Sequence, residues 1–316
     1  MQGQLTEVEH TIDVSADADE VYATLADVSQ WPRTFPPTIH AEQVEVDDSL
    51  ERIRIWARAG DGVKAWASIR DLDPAGRRIE FRQERSQSPV ASMAGTWIVE
   101  PTAEGSTVRL LHAYAAEQPS DQAWLDRVVD ENSRAELASL KESLEAGAEA
   151  QGLATVSFED TVEMDGDPSE AFAFIDRAER WQERLPHVTR VRFAELGHGV
   201  QDLEMDTRSP DGSAHTTRSY RVVLDSGDIV YKQVTLPALM AVHTGRWSFR
   251  AQGDGVAVTS QHTVVVRQDQ IASVLGPDAT LADATAAVRK ALSANSLATL
   301  GLAKQSLEQA QVAEAS

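Results

Sequence analysis

The stretch Val28–Pro37, VSQWPRTFPP, has a second copy at Ala178–His187, AERWQERLPH. Trp31 and Trp181 stand 150 positions apart. The same spacing joins Glu9 to Glu159, Thr11 to Thr161, Asp17 to Asp167 and Glu20 to Glu170. It joins Pro36 to Pro186, Arg58 to Arg208 and Asp61-Gly62 to Asp211-Gly212. It also joins Gln83 to Gln233, Gly95 to Gly245, Trp97 to Trp247 and His112 to His262. A solenoid unit repeats every roughly 20–50 residues, whereas this repeat has the size of a whole domain. The chain is a tandem duplication, with expected domains at 1–150 and 151–316.

Composition narrows the function classes. The chain has 316 residues, 42% hydrophobic and 25% charged, as in ordinary globular proteins. Each copy is long enough to bury a core without staples. There is no cysteine, which removes disulfides, thiolate metal sites and cysteine nucleophiles. The opening MQGQLTEVEH lacks the basic and apolar regions of a signal peptide. No apolar run reaches the roughly 18–20 residues of a membrane helix. A cytoplasmic protein without a membrane role is expected. A formal net charge of −21 disfavours phosphate-backbone binding, so no nucleic-acid partner is expected. Positive charge crowds one window, through Arg52, Arg54, Arg58, Lys64, Arg70, Arg77, Arg78, Arg82 and Arg85. It is read either as solvated strand faces or as a basic patch that docks an acidic partner.

Within the first copy, Val8–Val14 alternates like a half-buried strand. Asp17 with Glu20 resembles a capping box for a short helix over Asp19–Ala26. Ser29 is the expected cap of a second helical turn that Pro36-Pro37 stops. Strand-like runs follow at about Ala41–Val46, Glu51–Arg58, Val63–Leu72, Arg78–Glu84, Ala91–Glu100 and Ser106–Ala115. Turn formers at Gly60-Asp61-Gly62, Asp73–Gly76 and Ala103–Gly105 separate them. A long helix over about Ser120–Ala148 carries Trp124, Val128, Leu137, Leu140 and Leu144 at mostly helical spacings. The second copy repeats this order: a strand at Phe158–Met164, a helix at Asp167–Asp176, strands from about Arg190 to Arg267 and a helix at about Leu281–Gln309. Asn132-Ser133 recurs as Asn295-Ser296, so an insertion near Gln268–Thr280 precedes the last helix. A short link near Gly147–Ala154 joins the copies. The expected class is α+β, each copy a curved antiparallel sheet of about seven strands around a long C-terminal helix. A sheet wrapped on one helix leaves an internal cavity, a natural site for apolar small molecules.

On the run VKAWASIRDL, Val63–Leu72, strand alternation puts Trp66, Ser68 and Arg70 on one face. Ala65, Ala67 and Ile69 form an equally plausible inner face. Trp31 and Phe35 sit near the mouth of the expected cavity, and Trp56 fits either packing or lining. Trp97 and Trp247 read as packing, and His112 and His262 as structural hydrogen bonders. No H-E-x-x-H, G-x-S-x-G or phosphate-binding glycine loop is present.

The element order resembles a known family, as do W-P-x-x-F-P-P (Trp31–Pro37), W-x-R (Trp56–Arg58), W-x-S-x-R-D-L-D-P (Trp66–Pro74) and G-x-W (Gly95–Trp97). They look like the di-domain polyketide aromatase/cyclases of type II polyketide synthases, in which each half is a START-like, helix-grip domain. The resemblance implies aldol cyclisation and dehydration of a poly-β-ketone carried by phosphopantetheine on an acyl carrier protein. Other type II synthase subunits are further implied partners, and no metal or redox cofactor is implied. Arg70 matches the family's pocket arginine and is expected to polarise a substrate carbonyl, with Ser68 as hydrogen bonder or proton relay. Trp31, Phe35, Trp56, Trp66, Met93, Trp97 and Trp181 are the expected substrate-binding residues. Some single-domain members carry a tyrosine after the Trp-Pro segment, where this chain reads Pro36-Pro37-Thr38. By the 150 spacing, Trp66, Ser68 and Arg70 become Thr216, Arg218 and Tyr220, so Arg218 and Tyr220 are expected in the second pocket. A non-catalytic carrier of an apolar molecule is the alternative reading.

Overall fold

The computed structural model describes residues 4–47, 50–59, 62–149, 155–208 and 214–314. Gly60, Asp61, Asp211 and Gly212 of the expected turns, and 150–154 of the expected link, lie outside that set. The chain divides into two compact units, Met1–Gln151 and Gly152–Ser316.

The first unit runs β1 (Thr6–Val14), α1 (Ala18–Ala26), α2 (Trp31–Thr34), β2 (Thr38–Asp47), β3 (Leu50–Ala59), β4 (Gly62–Asp73), β5 (Arg78–Gln83), β6 (Val90–Thr102), β7 (Gly105–Ala116) and α3 (Gln122–Glu149). The second runs β8 (Thr155–Asp165), α4 (Pro168–Asp176), α5 (Trp181–Arg184), β9 (Val188–Gly197), β10 (Val200–Arg208), β11 (Ala214–Val223), β12 (Ile229–Thr235), β13 (Met240–Gln252), β14 (Gly255–Val266), α6 (Ile271–Leu275) and α7 (Leu281–Glu314). Each unit holds a seven-stranded antiparallel sheet, β1-β7-β6-β5-β4-β3-β2 and β8-β14-β13-β12-β11-β10-β9. The class is α+β, and α6 occupies the expected insertion.

Local chemistry explains the short helices. Asp17 Oδ1 accepts from Asp19 N at 2.8 Å, capping α1. The full capping box forms in the second unit, where Asp167 caps α4 and Glu170 reaches back. The turn before α2 is capped by Asp27, whose Oδ1 accepts from Ser29 N at 3.0 Å, and not by Ser29 itself. In the long helix, Leu137, Leu140 and Leu144 pack into one core with Val21, Leu25, Val108 and Leu110. Trp124 is 41% exposed, because the buried stripe passes through its neighbour Leu125 and through Val129.

One contact ties each short helix to its sheet. The last carbonyls of α1 have no intrahelical partner. Arg70 of β4 satisfies them, Nη1 donating to Leu25 O at 2.9 Å and Nη2 to Ala26 O at 2.5 Å. Its guanidinium lies over Trp31, 5.2 Å from the ring centre. Arg221 of β11 repeats the arrangement: Nη2 to Ile175 O at 2.7 Å, Nη1 to Asp176 O at 3.3 Å, and 5.3 Å from Trp181. The negative end of a helix dipole favours a cation there. Both arginines are buried.

This contact corrects the sequence alignment of the copies. The counterpart of Arg70 is Arg221, not Tyr220. Strand pairing agrees, since Arg70 lies opposite Phe81 and Arg221 opposite Tyr231. Four residues separate the paired Arg58 and Val63, and five separate Arg208 and Ala214. The following connection is one shorter, with six residues between Leu72 and Ile79 and five between Val223 and Ile229. The two changes cancel and hide the slip. Trp66, Ser68 and Arg70 therefore correspond to Thr217, Ser219 and Arg221.

The clamps differ in one partner. Glu51, buried, accepts from Nε and Nη2 of Arg70 and from Gln43. Its counterpart Gln201 donates instead to Asp176 Oδ1 at 2.8 Å. Arg221 Nε has no hydrogen-bond partner among the described residues. Burial lowers the pKa of both guanidinium groups, that of Arg221 to about 10. Arg70→Met strands a buried carboxylate and is expected to cost about 3–5 kcal/mol. Arg221→Met loses two carbonyl hydrogen bonds and should cost about 1–3 kcal/mol. Adding Glu51→Gln to Arg70→Met should recover at least half of the loss in urea denaturation. Equal costs, or no recovery, would contradict the ion-pair asymmetry.

Candidate active site

The N-terminal unit encloses a cavity of about 310 Å³ between its sheet and α3. Trp31, Phe35, Trp66, Met93 and Trp97 line it, with Trp31 and Phe35 edge to face at 5.6 Å. Ser68 and Arg70 face the same space, so β4 turns Trp66, Ser68 and Arg70 inward. Trp56 does not line the cavity. On β3 the odd positions Ile53, Ile55 and Ala57 point in, and Trp56 points the other way, beside His40 and under the Arg54 guanidinium. Gly95 serves this packing, because a side chain there would collide with the ring of Phe81.

Arg70 spends most of its donors on Glu51, Leu25 O and Ala26 O, which leaves one N–H, on Nη1. The remaining polarity comes from α3. Asn132, Ser133, Glu136 and Ser139 recur at helical spacing and all line the cavity. Glu136 is half-buried where it lines the cavity, and no hydrogen bond or ion pair engages its carboxyl among the described residues. Burial lifts its pKa to about 7. His112, also on the wall, is held neutral by burial and by His10, with a pKa lowered to about 4. Ser133 Oγ donates to Val129 O at 2.7 Å and lies 3.3 Å from His112 Nδ1. That network puts the imidazole proton on Nδ1 and leaves Nε2 as an acceptor.

The C-terminal unit encloses about 120 Å³, lined by Trp181, Thr217, Ser219, Arg221 and Trp247 among others. Arg218 and Tyr220 lie off this cavity, on the opposite face of β11. Arg218 pairs with Asp202 at 2.6 Å and donates to Tyr220 Oη at 3.2 Å. Where the first cavity has Phe81 and Met93, the second has Tyr231 and His243. Where the first has Glu136, the second has Thr299.

The arginine-rich window is partly ion-paired, and Arg58, Lys64, Arg82 and Arg85 in it are exposed. Arg52 pairs with Glu84, Arg54 with Glu42, Arg77 with Asp19 and Arg78 with Glu80. Among the described residues no group of three or more metal-ligating side chains is placed to hold an ion. No described helix is long and apolar enough to cross a membrane.

A family model described as polyketide cyclase / dehydrase and lipid transport matches residues 6–145. The granaticin polyketide synthase bifunctional cyclase/dehydratase of Streptomyces virginiae is 47% identical over 295 residues, covering 92% of this chain and 97% of that protein. The actinorhodin polyketide synthase bifunctional cyclase/dehydratase of Streptomyces coelicolor is 42% identical over 304 residues, covering 93% and 94%. The chain belongs to the bifunctional polyketide cyclase/dehydratases. Two solved di-domain aromatase/cyclases share its architecture. BexL, from the BE-7585A biosynthetic pathway, is 53% identical with a TM-score of 0.88, covering 96% of this chain and 99% of that one. StfQ, from the steffimycin pathway, is 31% identical with a TM-score of 0.84, covering 97% and 99%. This cyclase/dehydratase is an aromatase/cyclase built of two compact units, each a seven-stranded antiparallel sheet with a long C-terminal helix.

Sequence reasoning about this cyclase/dehydratase missed Glu136, Tyr231 and His243. The signal for Glu136 was a polar stripe, Asn132, Ser133, Glu136 and Ser139, crossing the apolar face of a helix. A buried carboxyl whose pKa is raised stabilises the fold below its unfolded value near 4.5, and that stability is lost as pH rises through about 7. Glu136→Gln is therefore expected to raise the thermal midpoint by several degrees at pH 8.5 and to leave it unchanged at pH 4.5. A midpoint shift of the same size at both pH values would contradict a desolvated, unpaired carboxyl.

Proposed function

We propose that this cyclase/dehydratase folds an acyl-carrier-bound poly-β-ketone inside the N-terminal cavity and closes a ring by intramolecular aldol condensation, followed by loss of water to the aromatic product. The observation that carries this reading is Glu136, a carboxyl without a hydrogen-bond or ion-pair partner among the described residues, in a chamber that Trp31, Phe35, Trp66, Met93 and Trp97 also line. A pKa near the working pH suits a general base. Glu136 removes a proton from a methylene between two carbonyls. The electron pair moves to the carbonyl oxygen, where Ser68 Oγ–H and the remaining N–H of Arg70 stabilise the enolate. The enolate carbon attacks a distant carbonyl that the aromatic walls hold nearby. The resulting alkoxide takes the proton back from Glu136. The base returns to its starting state, and this route calls on no cofactor.

The same family relationship supports an acyl carrier protein and other synthase subunits as partners. Arg58 is exposed and belongs to the cavity lining with Pro37 and Ala59, which suits a rim where a carrier delivers its arm. The carrier reading, passive transport of an apolar molecule, gives no reason for a desolvated carboxyl and a polar helix stripe inside the chamber.

Reconstitution with a minimal synthase tests the assignment. Glu136→Gln is expected to lower kcat roughly a hundredfold and to divert the chain to spontaneously cyclised products. The wild-type rate should rise as pH increases through about 7, and the variant should lack that limb. A folded variant with wild-type products and the wild-type pH profile would remove Glu136 from the mechanism.

A further inference from the structure

The C-terminal cavity is lined by polar side chains whose hydrogen-bonding capacity the fold leaves unused. Arg221 and His243 are only 2% and 1% exposed. Yet the Nε–H of Arg221 and Nδ1 of His243 have no partner among the described residues. The side-chain oxygen of Gln233, on the same wall, has none either. Buried polar atoms in native proteins are nearly always paired. No described residue lining the N-terminal cavity carries such an atom.

Sheet register gathers these groups. Arg221 lies opposite Tyr231 across the β11–β12 pair, and Ser219 opposite Gln233. Ser219 is buried, and no hydrogen bond engages its hydroxyl among the described residues. On β13, Gly245 lies opposite Tyr231 and Thr244 opposite Lys232, a register that carries His243 toward Gln233. Neighbouring strands stand about 4.8 Å apart, close to the separation of two meta hydroxyl oxygens on a benzene ring. Trp181, Leu203, Met205 and Trp247 supply apolar wall around the polar groups. A volume of about 120 Å³ is near that of a cavity that holds one benzene ring.

The chemistry of the open groups selects the occupant. Arg221 Nε–H can only donate, and the Gln233 oxygen can only accept. His243 Nε2 and Tyr231 Oη lie 3.0 and 3.1 Å from His262 Nδ1. The direction of those bonds decides whether His243 Nδ1 carries a proton. Burial lowers the pKa of His243 to about 3 and that of His262 to about 4, so both imidazoles are neutral near pH 7. A carboxylate only accepts, so it would set its charge against the Gln233 oxygen. An apolar ring would leave all three groups unpaired. A hydroxyl both donates and accepts, so it suits Arg221, Gln233 and either tautomer of His243.

We infer that the C-terminal cavity is a binding site for one small neutral aromatic ring bearing two or more hydroxyl groups, of the resorcinol class. One hydroxyl oxygen accepts from Arg221 Nε–H while its proton goes to the Gln233 oxygen. A second hydroxyl meets His243 Nδ1. The ring itself rests among Trp181, Leu203, Met205 and Trp247. No bond is made or broken in this cavity. Its role is ligand-linked stability, because a molecule that binds only the folded chain stabilises it by mass action. The inference goes beyond the reading of the N-terminal cavity and does not depend on Glu136.

Titration calorimetry of the full chain with resorcinol tests this, with benzene and benzoate as probes of the same ring. Resorcinol should bind once per chain with a dissociation constant of about 0.1 mM or lower and should raise the thermal midpoint. Benzene and benzoate should bind at least tenfold more weakly. His243→Met, which installs the residue that the first cavity carries as Met93, should weaken resorcinol roughly tenfold. Gln233→Leu should do the same, and both variants should unfold within a few degrees of the wild type when no probe is added. Ser139→Ala, on the wall of the N-terminal cavity, should leave the affinity unchanged. No binding of millimolar resorcinol, by calorimetry and by saturation-transfer NMR, overturns the inference. So does benzene or benzoate binding as tightly as resorcinol, wild-type affinity in both C-terminal variants, or a loss of affinity in Ser139→Ala.

Discussion

A buried guanidinium at the carbonyl end of a short helix holds each half of this molecule together. Arg70 and Arg221 connect the middle of their sheets to the last carbonyls of α1 and α4 and lie over the tryptophan that begins the next helical turn. That contact pairs the last helix carbonyls and helps hold Trp31 and Trp181, whose indole N–H groups also donate to Leu25 O and Phe174 O. A charge in that position costs desolvation free energy, which the carbonyls, the helix dipole and the ring face together offset. The sequence motif around Trp66–Arg70 is thus structural before it is chemical. Arg70 has a single N–H left for substrate.

The two copies then diverge by moving polarity from one wall to another. In the first, a carboxylate neutralises the clamp, and an unpaired carboxyl, Glu136, stands on α3. In the second, Gln201 replaces that carboxylate, Thr299 replaces the helix carboxyl, and the strands supply Tyr231 and His243 in place of Phe81 and Met93. Burial with partners makes Glu51 part of the scaffold and leaves Arg70 a single N–H, whereas the Glu136 carboxyl has no partner among the described residues. The duplicated fold provides two cavities of about 310 and 120 Å³.

Much of the fold was legible in the sequence. Turn residues and period-two alternation placed the strands close to their observed ends, and the Asn132-Ser133 repeat located the insertion before α7. Less of the site could be read. A one-residue insertion and a one-residue deletion cancel on either side of β11, so a constant spacing of 150 pointed to Tyr220 where packing requires Arg221. Trp56 looked like a cavity residue because its motif neighbours are, but alternation on β3 turns it outward. Glu136 was invisible to motif reading, since a lone glutamate on a long helix usually faces water. Only the folded unit, with α3 against its sheet, shows which side of α3 it occupies.

Reactivity from burial without a partner can be observed directly at Glu136. Carbon-13 NMR of side-chain-labelled glutamate, assigned by difference from Glu136→Gln, follows its carboxyl through a pH titration. The account predicts a midpoint near 7, as the enclosed, unpaired carboxyl requires. A midpoint in the ordinary glutamate range, near 4.5, would mean that the carboxyl is solvated or paired, and that the N-terminal cavity lacks its base.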